Sequence, residues 1–278
     1  MPAGLLFRLL RKGKIRVNGK KVAQNYRIEP GDELTLPPLQ APDAAPSAVP
    51  PALTQLVLGS IIFEDDHLIV VNKPADVAVH KGTGVPAGVI EALRHARPDV
   101  PELELVHRLD RETSGVLLVA KTSRALRYLQ RILAEQEHKI KRYYLAVVHG
   151  SWPGRVQRIL APLRRTKTRT VVASPHSADA LRAETHFQVV RRLGDRATIV
   201  QVRLLTGRKH QIRVHCQHAG HPIACDSRYG SPSFNRWAHS RGKTKMMLHA
   251  HRVEFPKPDG TTQVFEAPVP PYFPPLHP

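Results

Sequence analysis

Apolar and polar residues follow one another along most of the chain in patterns that predict strands and helices in irregular alternation. The runs IIFE, HLIVVNKP and YYLAVV are typical of strands, and RAETHFQVV and TIVQVRLLTG alternate with the period of two that half-buried strands show. The segments GVIEALRHAR and TSRALRYLQRILAEQE have helical spacing, and Pro98 ends the first of them. Because strand pairs outnumber helical crossovers, we expect the α/β class of the α+β type, with a central, largely antiparallel mixed sheet and flanking helices.

The first 36 residues predict a separate small unit. A short helix, LLFRLLRKG, precedes the strands KIRVNG and KKVAQNYRI, which Asn18-Gly19 can join by a tight turn, and ELTLP follows. This arrangement concentrates seven basic side chains into a predicted phosphate-binding surface: Arg8, Arg11, Lys12, Lys14, Arg16, Lys20 and Lys21. A merely solvated charged face is the alternative.

Residues 37–59 separate this unit from the rest of the chain. They contain six prolines in their first fifteen positions and no basic residue, which predicts an extended linker that spaces rather than binds. The sequence therefore divides into a basic unit over 1–36, a linker over 37–59 and a main domain over 60–278.

The charge of the chain indicates a polyanionic partner. Its 278 residues include 42 Lys and Arg against 23 Asp and Glu, a formal net charge of +19. Nucleic acid fits that charge, and we expect no membrane partner, because no apolar run approaches the roughly 18 residues that a transmembrane helix needs. The two cysteines, Cys216 and Cys225, are too few for a disulfide framework and favour a cytoplasmic protein. The segment HCQHAGHPIAC lacks the spacing of a zinc site, so no metal is expected.

Two distant segments carry the candidate chemistry. In HRLDRETSG, Asp110 lies among arginines between the apolar runs ELELV and VLLVAK. In LLTGRKHQIRVHCQHAGHP, a strand is predicted to end and a helix over about 209–219 to begin, with cations in its first turns. Such a strand end and helix start can hold a phosphate or a partner carboxylate.

HRLDRETSG together with TGRKHQIRVH resembles the paired signature of the RluA-type pseudouridine synthases. VHKGTG, RYYLAVVHG, GHPIACDSRYG and MLHAHRVEF follow in that family's order and spacing, so the resemblance covers roughly residues 60–270. The N-terminal unit resembles the second half of an S4 RNA-binding domain. The additional helix with which an S4 domain normally begins does not fit in the four residues ahead of LLFRLLRKG, so we expect a partial module, through truncation or a misassigned start. The whole arrangement is similar to the group that modifies large-subunit (23S) ribosomal RNA.

The resemblance implies a role for each of several residues. Asp110 would be the catalytic carboxylate, acting on the ribose C1′ or on the C2′ proton, and Arg213 would be its ion-pair partner. Tyr144 would stack on the uracil near C5, with Tyr143 as the alternative, because strand alternation sends the two to opposite faces. The remaining implied substrate-binding residues are Leu248 as the floor of the pocket, Arg108 in the gap that the flipped uridine leaves, His107 positioning the loop, and Arg208 and His210 at the start of the second segment.

The function implied is an RNA pseudouridine synthase that isomerises specific uridines after base flipping, with ribosomal RNA or its large-subunit precursor as partner. The reaction needs no redox change or group donor, so no cofactor is expected, and a monomer is our default. The alternatives are a transfer RNA enzyme of the same family and a non-catalytic RNA-binding or ribosome-assembly factor. A hydrolase using Asp110 with Glu112 is a weaker alternative, since we expect Glu112 to pair with Arg111 or Lys121.

Overall fold

The structure is a computed structural model that describes residues 3–37, 49–82, 84–135, 139–174 and 176–277. The contacts divide the chain into two compact units, Met1–Ala48 and Val49–Pro278. No helix in these described stretches is long and apolar enough to cross a membrane.

The described part of the first unit contains one helix and three short strands. They are α1 (Ala3–Arg11), β1 (Arg16–Val17), β2 (Lys20–Lys21) and β3 (Leu34–Thr35), and the strands form an antiparallel sheet in the order β2-β1-β3. Asn18 and Gly19 join β1 to β2 with positive φ angles of 52° and 72°, as the predicted two-residue turn requires.

The strand predicted over KKVAQNYRI is wrong beyond its first two residues. From Val22 onward the chain forms a loop, which the carboxylate of Asp32 organises. That carboxylate accepts hydrogen bonds from Asn18 Nδ2 (2.7 Å), the Tyr26 hydroxyl (3.1 Å) and the Glu29 N–H (3.0 Å). The bond from the Glu29 N–H joins backbone to side chain, and bonds of that kind compete with strand pairing.

A ten-stranded sheet forms the centre of the second unit. Its strands, with the bounds of each, are β4 (Ile61–Glu64), β5 (Leu68–Lys73), β6 (Glu104–Leu105), β7 (Ser114–Ala120), β8 (Lys141–His149), β9 (Arg158–Leu160), β12 (Glu184–Leu193), β13 (Ala197–Leu204), β14 (Leu248–Pro256) and β15 (Thr262–Glu266). The order is β4-β5-β7-β14-β8-β13-β12-β9, with β6 beside β7 and β15 beside β14. A separate hairpin, β10 (Leu163–Arg165) and β11 (Thr170–Val172), lies outside this sheet.

In the described residues, five helices pack on the two faces of the sheet. They are α2 (Pro51–Leu58), α3 (Val89–Ala96), α4 (Ser123–Glu135), α5 (Gln211–His218) and α6 (Pro232–His239). The first hydrophobic core joins α2, α3 and α5 to one face of the sheet, and two further cores join α4 and α6 to the other. Among the described strands β7 and β14 form the one parallel pair, so the sheet is mixed and largely antiparallel, as predicted.

Helix α2 corrects the extended linker that we expected over residues 37–59. Pro51 occupies the first turn of this helix, where proline is tolerated, and Val57 is buried against the core. The proline count therefore misled the prediction, because the apolar spacing of PALTQLVL follows directly after Pro50. Residues 38–48 of the expected linker lie outside the described residues.

Gly115 allows β7 to approach β14 closely. Its φ is +107°, and a Cβ at this position would lie 2.2 Å from the carbonyl oxygen of Ala250. Only glycine fits there without displacing the backbone. The contact brings the start of β7, and with it the segment HRLDRET, beside Leu248 at the start of β14.

Candidate active site

The loop from His107 to Thr113 joins β6 to β7 and is held at both ends by buried residues. The N–H of Leu118 donates to His107 Nε2 over 3.2 Å, and Leu109 packs in the core. Thr113 is buried, and its N–H donates to the carbonyl of Asp110 over 3.1 Å. The carboxylate of Asp110 therefore projects from a tightly held loop, with 23% of its side chain exposed.

His107 anchors this loop as a neutral ring. Burial lowers the pKa of His107 to about 4, and the nearby charge of Arg142 adds to the effect. The uncharged Nε2 can therefore accept the strand N–H at neutral pH. The predicted positioning role of His107 is consistent with this contact.

Arg213 on α5 lies beside Asp110, although the two residues are 103 positions apart in sequence. Arg213 Nη1 donates to Asp110 Oδ2 over 3.1 Å. Its Nε and Nη2 donate to the two carboxylate oxygens of Asp226, over 2.7 Å and 2.9 Å. The guanidinium is 1% exposed, so it joins the two acids in the protein interior.

The charges of this cluster compensate one another. Burial opposes the charge of Arg213, but its hydrogen bonds and the carboxylates of Asp226, Asp110 and Glu112 outweigh burial and raise its pKa. Burial would raise the pKa of Asp226, but Arg213 and two backbone N–H groups lower it below the ordinary value. Both partners of the buried pair therefore remain charged at neutral pH.

His210 lies on the other side of the Asp110 carboxylate. Its Nε2 is 3.7 Å from Asp110 Oδ1, and its Nδ1 is 2.8 Å from the hydroxyl of Tyr229. His210 has a left-handed φ of 56° immediately before α5, an uncommon conformation for a residue with a side chain. Burial lowers the pKa of His210, with Asp110 opposing and neighbouring cations assisting that shift.

Lys73 supports the catalytic loop from within the protein. It is 0% exposed, and its Nζ donates to three carbonyl oxygens, those of Pro74 (2.8 Å), Val77 (2.8 Å) and Arg111 (3.0 Å). Burial lowers the pKa of Lys73 to about 7, against the attraction of nearby carboxylates. The amine thus connects the end of β5 to the backbone next to Asp110.

The described side chains form a cleft of about 770 Å³ around Asp110. Tyr144 and Leu248, both buried, line it from adjacent strands, and the predicted His107, Arg108, Arg208 and His210 line it as well. Tyr143, the alternative to Tyr144, lines a different depression beside Trp152 and Arg203. Strand alternation thus separates the two tyrosines, and Tyr144 is the one beside Asp110.

Cations surround this cleft. Besides Arg108 and Arg208, the residues that line it include Arg165 from the β10–β11 hairpin, Lys209, and Arg228 from the loop before α6. Arg208 Nε also donates to the carbonyl of Arg182 over 3.1 Å. A rim of this kind matches the spaced phosphates of an RNA chain.

In the first unit, most of the predicted RNA-binding side chains are exposed to solvent. These are Arg11, Lys12, Lys14, Arg16, Lys20 and Lys21. Arg16 also donates from Nε to the carbonyl of Gly13 over 3.2 Å, so part of its guanidinium holds its own turn. The side chain of Arg8 lies outside those that the structure describes.

Two expected pairings around the motif are wrong. Glu112 lies 3.6 Å from Arg213 instead of pairing with Arg111 or Lys121. Lys121 pairs with Glu64 over 3.0 Å, and Arg111 Nε donates to the carbonyl of Asp76 over 3.0 Å. Both contacts join segments distant in sequence, which local charge spacing does not reveal.

Three residues of the site have no role that the sequence predicts: Lys73, Asp226 and Tyr229. Lys73 ends the apolar run LIVVNK, and a lysine continuing a buried strand was an available signal. Asp226 and Tyr229 lie in GHPIACDSRYG, which contributed to the resemblance without a function for either residue. Across the described residues, no group of three or more His, Cys, Asp or Glu side chains is arranged to hold a metal ion.

Comparisons with known families match two parts of the chain. Residues 67–218 match the family model described as RNA pseudouridylate synthase, and residues 6–34 match that of the S4 domain. The first match includes Asp110, Tyr144 and Arg213.

Known proteins resemble the chain over most of its length. It is 42% identical over 275 residues to the ribosomal large subunit pseudouridine synthase C of Vibrio vulnificus (strain CMCP6), which covers 97% of this chain and 85% of that protein. Identity to the protein of the same name from Escherichia coli (strain K12) is 44% over 276 residues, with the same coverage. The solved structure of human RNA pseudouridylate synthase domain containing 1 is 27% identical with a TM-score of 0.60, covering 75% of this chain and 82% of that one. Human RNA pseudouridylate synthase domain containing 4 is 22% identical with a TM-score of 0.64, over 80% and 93%, and shares the fold.

Proposed function

The chain belongs to the RNA pseudouridylate synthase family, and we propose that it isomerises uridine to pseudouridine in large-subunit ribosomal RNA, with Asp110 as the catalytic residue. The observation that carries this proposal is the Asp110–Arg213 ion pair within a cleft lined by cations. The relatives named for the ribosomal large subunit and the S4 match favour that RNA over transfer RNA.

The reaction breaks the N1–C1′ bond of uridine, rotates the uracil and forms a C5–C1′ bond. The proton at C5 leaves and N1 gains one, so no group donor or oxidant enters the balance. Cleavage places positive character on the ribose, which an ionised carboxylate stabilises. Arg213 donates a hydrogen bond to Asp110 Oδ2 over 3.1 Å, and the loop leaves part of the carboxylate exposed to the cleft. Asp110 then acts on C1′ or on the C2′ proton.

The uracil base occupies the part of the cleft that β8 and β14 line through Tyr144 and Leu248. Tyr144 stacks on the uracil near C5, and Leu248 forms the apolar floor beneath it. A uridine inside a helix is not accessible to these residues, so the nucleotide must leave the stack before it reacts. Arg108, exposed at the edge of the cleft, fills the gap that remains in the RNA.

The RNA backbone contacts the cationic rim, and Arg208 and His210 contribute to substrate binding at the start of α5. In the first unit, the exposed basic side chains give a further phosphate-binding surface. We also place the protein in the cytoplasm as a monomer, where ribosomal RNA is its partner, and we include no metal or cofactor in the reaction.

The test measures pseudouridine in unmodified large-subunit ribosomal RNA, and in transfer RNA, after incubation with the purified full chain. We expect product in the ribosomal RNA and, from RNA carrying tritium at uridine C5, release of the label. Asp110→Asn should abolish both signals while RNA affinity stays within about twofold, because phosphate contacts lie elsewhere. The exposed Asp66 provides the control variant Asp66→Asn, which should retain full activity.

Each remaining outcome contradicts a part of the proposal. Binding of RNA without product from the unaltered chain would favour the non-catalytic RNA-binding factor. Release of free uracil, together with its loss in Glu112→Gln, would favour hydrolysis by a carboxylate pair. Product in transfer RNA alone would reject the ribosomal target, and activity in Asp110→Asn would reject the assignment of the catalytic residue.

A further inference from the structure

Tyr229 is a buried residue between the Asp110 site and the basic hairpin, and the proposed reaction gives it no task. It is 1% exposed, and its ring lies between two guanidinium groups: Arg213 and Arg169 each have Cζ 5.2 Å from its centroid. Its hydroxyl has two neighbours, the N–H of Thr170 at 3.1 Å and His210 Nδ1 at 2.8 Å. The ring thus contacts α5 and β11 at once.

These two contacts determine the direction of the hydroxyl hydrogen. The Thr170 N–H is a donor, so the Tyr229 oxygen accepts from it and keeps its own hydrogen available. His210 Nδ1 is close enough to accept that hydrogen. The opposite tautomer, with hydrogen on Nδ1, would make the oxygen accept twice and would leave a buried O–H without this acceptor, which is unfavourable.

A neutral His210 whose Nδ1 accepts must carry its hydrogen on Nε2. Nε2 faces Asp110 Oδ1 at 3.7 Å, which is beyond a hydrogen bond in this structure. An N–H at that position attracts the carboxylate, whereas the lone pair of the other tautomer would repel it. Catalytic contacts that are long without substrate often shorten in the complex.

We propose that Tyr229 is a positioning residue that fixes the His210 tautomer with Nε2–H directed at Asp110, and thereby holds the carboxylate ready for the ribose. The inference rests on the proposed function for its effect on catalysis, but the tautomer itself is a property of the protein alone. Tyr229 acts through His210. Because Tyr229 is buried, it does not contact the RNA itself.

The charges around His210 set how the arrangement responds to pH. The groups that face it are Asp110 from the catalytic loop, Arg213 from α5, Lys209 beside it, and Arg228 from the loop before α6. Burial and the cations keep the His210 ring neutral near pH 8, so Nε2 carries a hydrogen only in one of the two tautomers. A protonated ring donates from both nitrogens, so acid restores the Nε2–H without Tyr229.

The experiment compares Tyr229→Phe with the unaltered full chain on large-subunit ribosomal RNA between pH 6 and pH 8.5. Phenylalanine keeps the ring between the two arginines and removes only the hydroxyl. We expect kcat at pH 8 to fall about fivefold to tenfold with KM within about twofold. In measurements extended to about pH 5, the deficit should shrink as the pH falls through the lowered pKa of His210. Tyr128→Phe is the matched control, because it removes the half-buried hydroxyl that donates to the Pro256 carbonyl over 2.8 Å, and it should leave both values unchanged.

Nitrogen NMR of histidine-labelled protein gives a readout that needs no activity. The His210 signals are assigned by their loss in His210→Gln. We expect the Nε2–H tautomer in the unaltered chain and a mixture or the Nδ1–H tautomer in Tyr229→Phe. An Nδ1–H tautomer in the unaltered chain, or the same tautomer and the same pH profile in both proteins, overturns the inference. An inactive unaltered chain with the expected tautomer shift rejects the proposed function instead.

Discussion

Asp226→Asn tests whether the orientation of Arg213, and through it the site, depends on the second carboxylate. The substitution keeps the shape of the side chain and can keep the oxygen that accepts from the backbone N–H groups of Arg228 and Tyr229, each at 2.9 Å. It replaces the other acceptor, Oδ2, with an NH2 group, which faces the Nε donor of Arg213. The guanidinium then has one anionic partner fewer while it stays 1% exposed.

The expected cost follows from the burial of this pair. Removing one partner of a buried ion pair costs about 3–5 kcal/mol, because the remaining charge is left uncompensated. Arg213 still has the 3.1 Å contact with Asp110, so we expect about 3 kcal/mol, the lower end of that range. We also expect kcat to fall at least about tenfold, because a guanidinium that is less firmly held leaves Asp110 less well oriented.

Urea unfolding followed by tryptophan fluorescence measures this cost. Both tryptophans, Trp152 and Trp237, lie in the second unit, so the signal reports on the unit that contains the site. The control Asp66→Asn should lie within about 0.5 kcal/mol of the unaltered chain.

The pH dependence has a defined sign. The pKa of Asp226 is lowered on folding, so its contribution is present above the ordinary value of 3.8 and is lost as pH falls through the folded pKa. The difference between the variant and the unaltered chain should therefore be flat from pH 8 to pH 5 and shrink in stronger acid. A loss below about 1 kcal/mol at pH 7 with undiminished kcat would refute the reasoning, because Asp110 alone would then suffice to hold Arg213.

Three further predictions concern other parts of the molecule. The pKa of Lys73 falls from 10.5 to about 7 on folding, so between these pH values the unfolded chain binds more protons than the folded chain. The unfolding free energy should therefore rise with pH across this range, by up to about 5 kcal/mol. Lys73→Met should lack this rise and lower kcat, and parallel pH dependences in urea unfolding would contradict the burial argument. Burial likewise lowers the pKa of His249 from 6.5 to about 4, so acidification across that range should lower the unfolding free energy by up to about 3 kcal/mol. The loss in His249→Gln should be smaller, and equal losses in the two proteins would show that His249 is not its source. Replacing Lys12, Lys14, Lys20 and Lys21 together by Ala should reduce the slope of log K against log salt by up to about 3 while kcat at saturating RNA is retained, and an unchanged slope would exclude the first unit as a phosphate-binding surface.

The sequence predicted most of the strands that carry the site, because their apolar spacing is local. On β12 and β13, the residues that the alternation predicts to face the core are buried, as Phe187, Val200 and Val202 show. The hairpin of β10 and β11 was not predicted, because LRRTKTRTVV has no apolar period of two over most of its length. Its pairing depends instead on contacts such as that between Thr170 and Tyr229, which sequence spacing does not show.

The motifs predicted that Asp110 and Arg213 meet, but the network around them depends on the tertiary structure. Arg213 and Asp226 are 13 residues apart and come together because α5 and the loop before α6 turn back on each other. Lys73 contacts the carbonyl of Arg111, 38 residues away, through the pairing of β5 with β7. No periodicity in the sequence encodes either contact.

Arg213 divides its hydrogen bonds between two acids, which explains how its buried guanidinium can orient the partly exposed carboxylate of Asp110. Asp226 takes the Nε and Nη2 donors and compensates the buried guanidinium, so stability does not rest on Asp110. Asp110 accepts the Nη1 hydrogen bond on Oδ2, which orients its carboxylate. Its Oδ1 accepts no hydrogen bond from Arg213 and faces His210 Nε2 at 3.7 Å, and so retains the capacity to act on a ribose. If a single acid supplied both functions, a bidentate pair would occupy both oxygens and leave the carboxylate stable but unreactive.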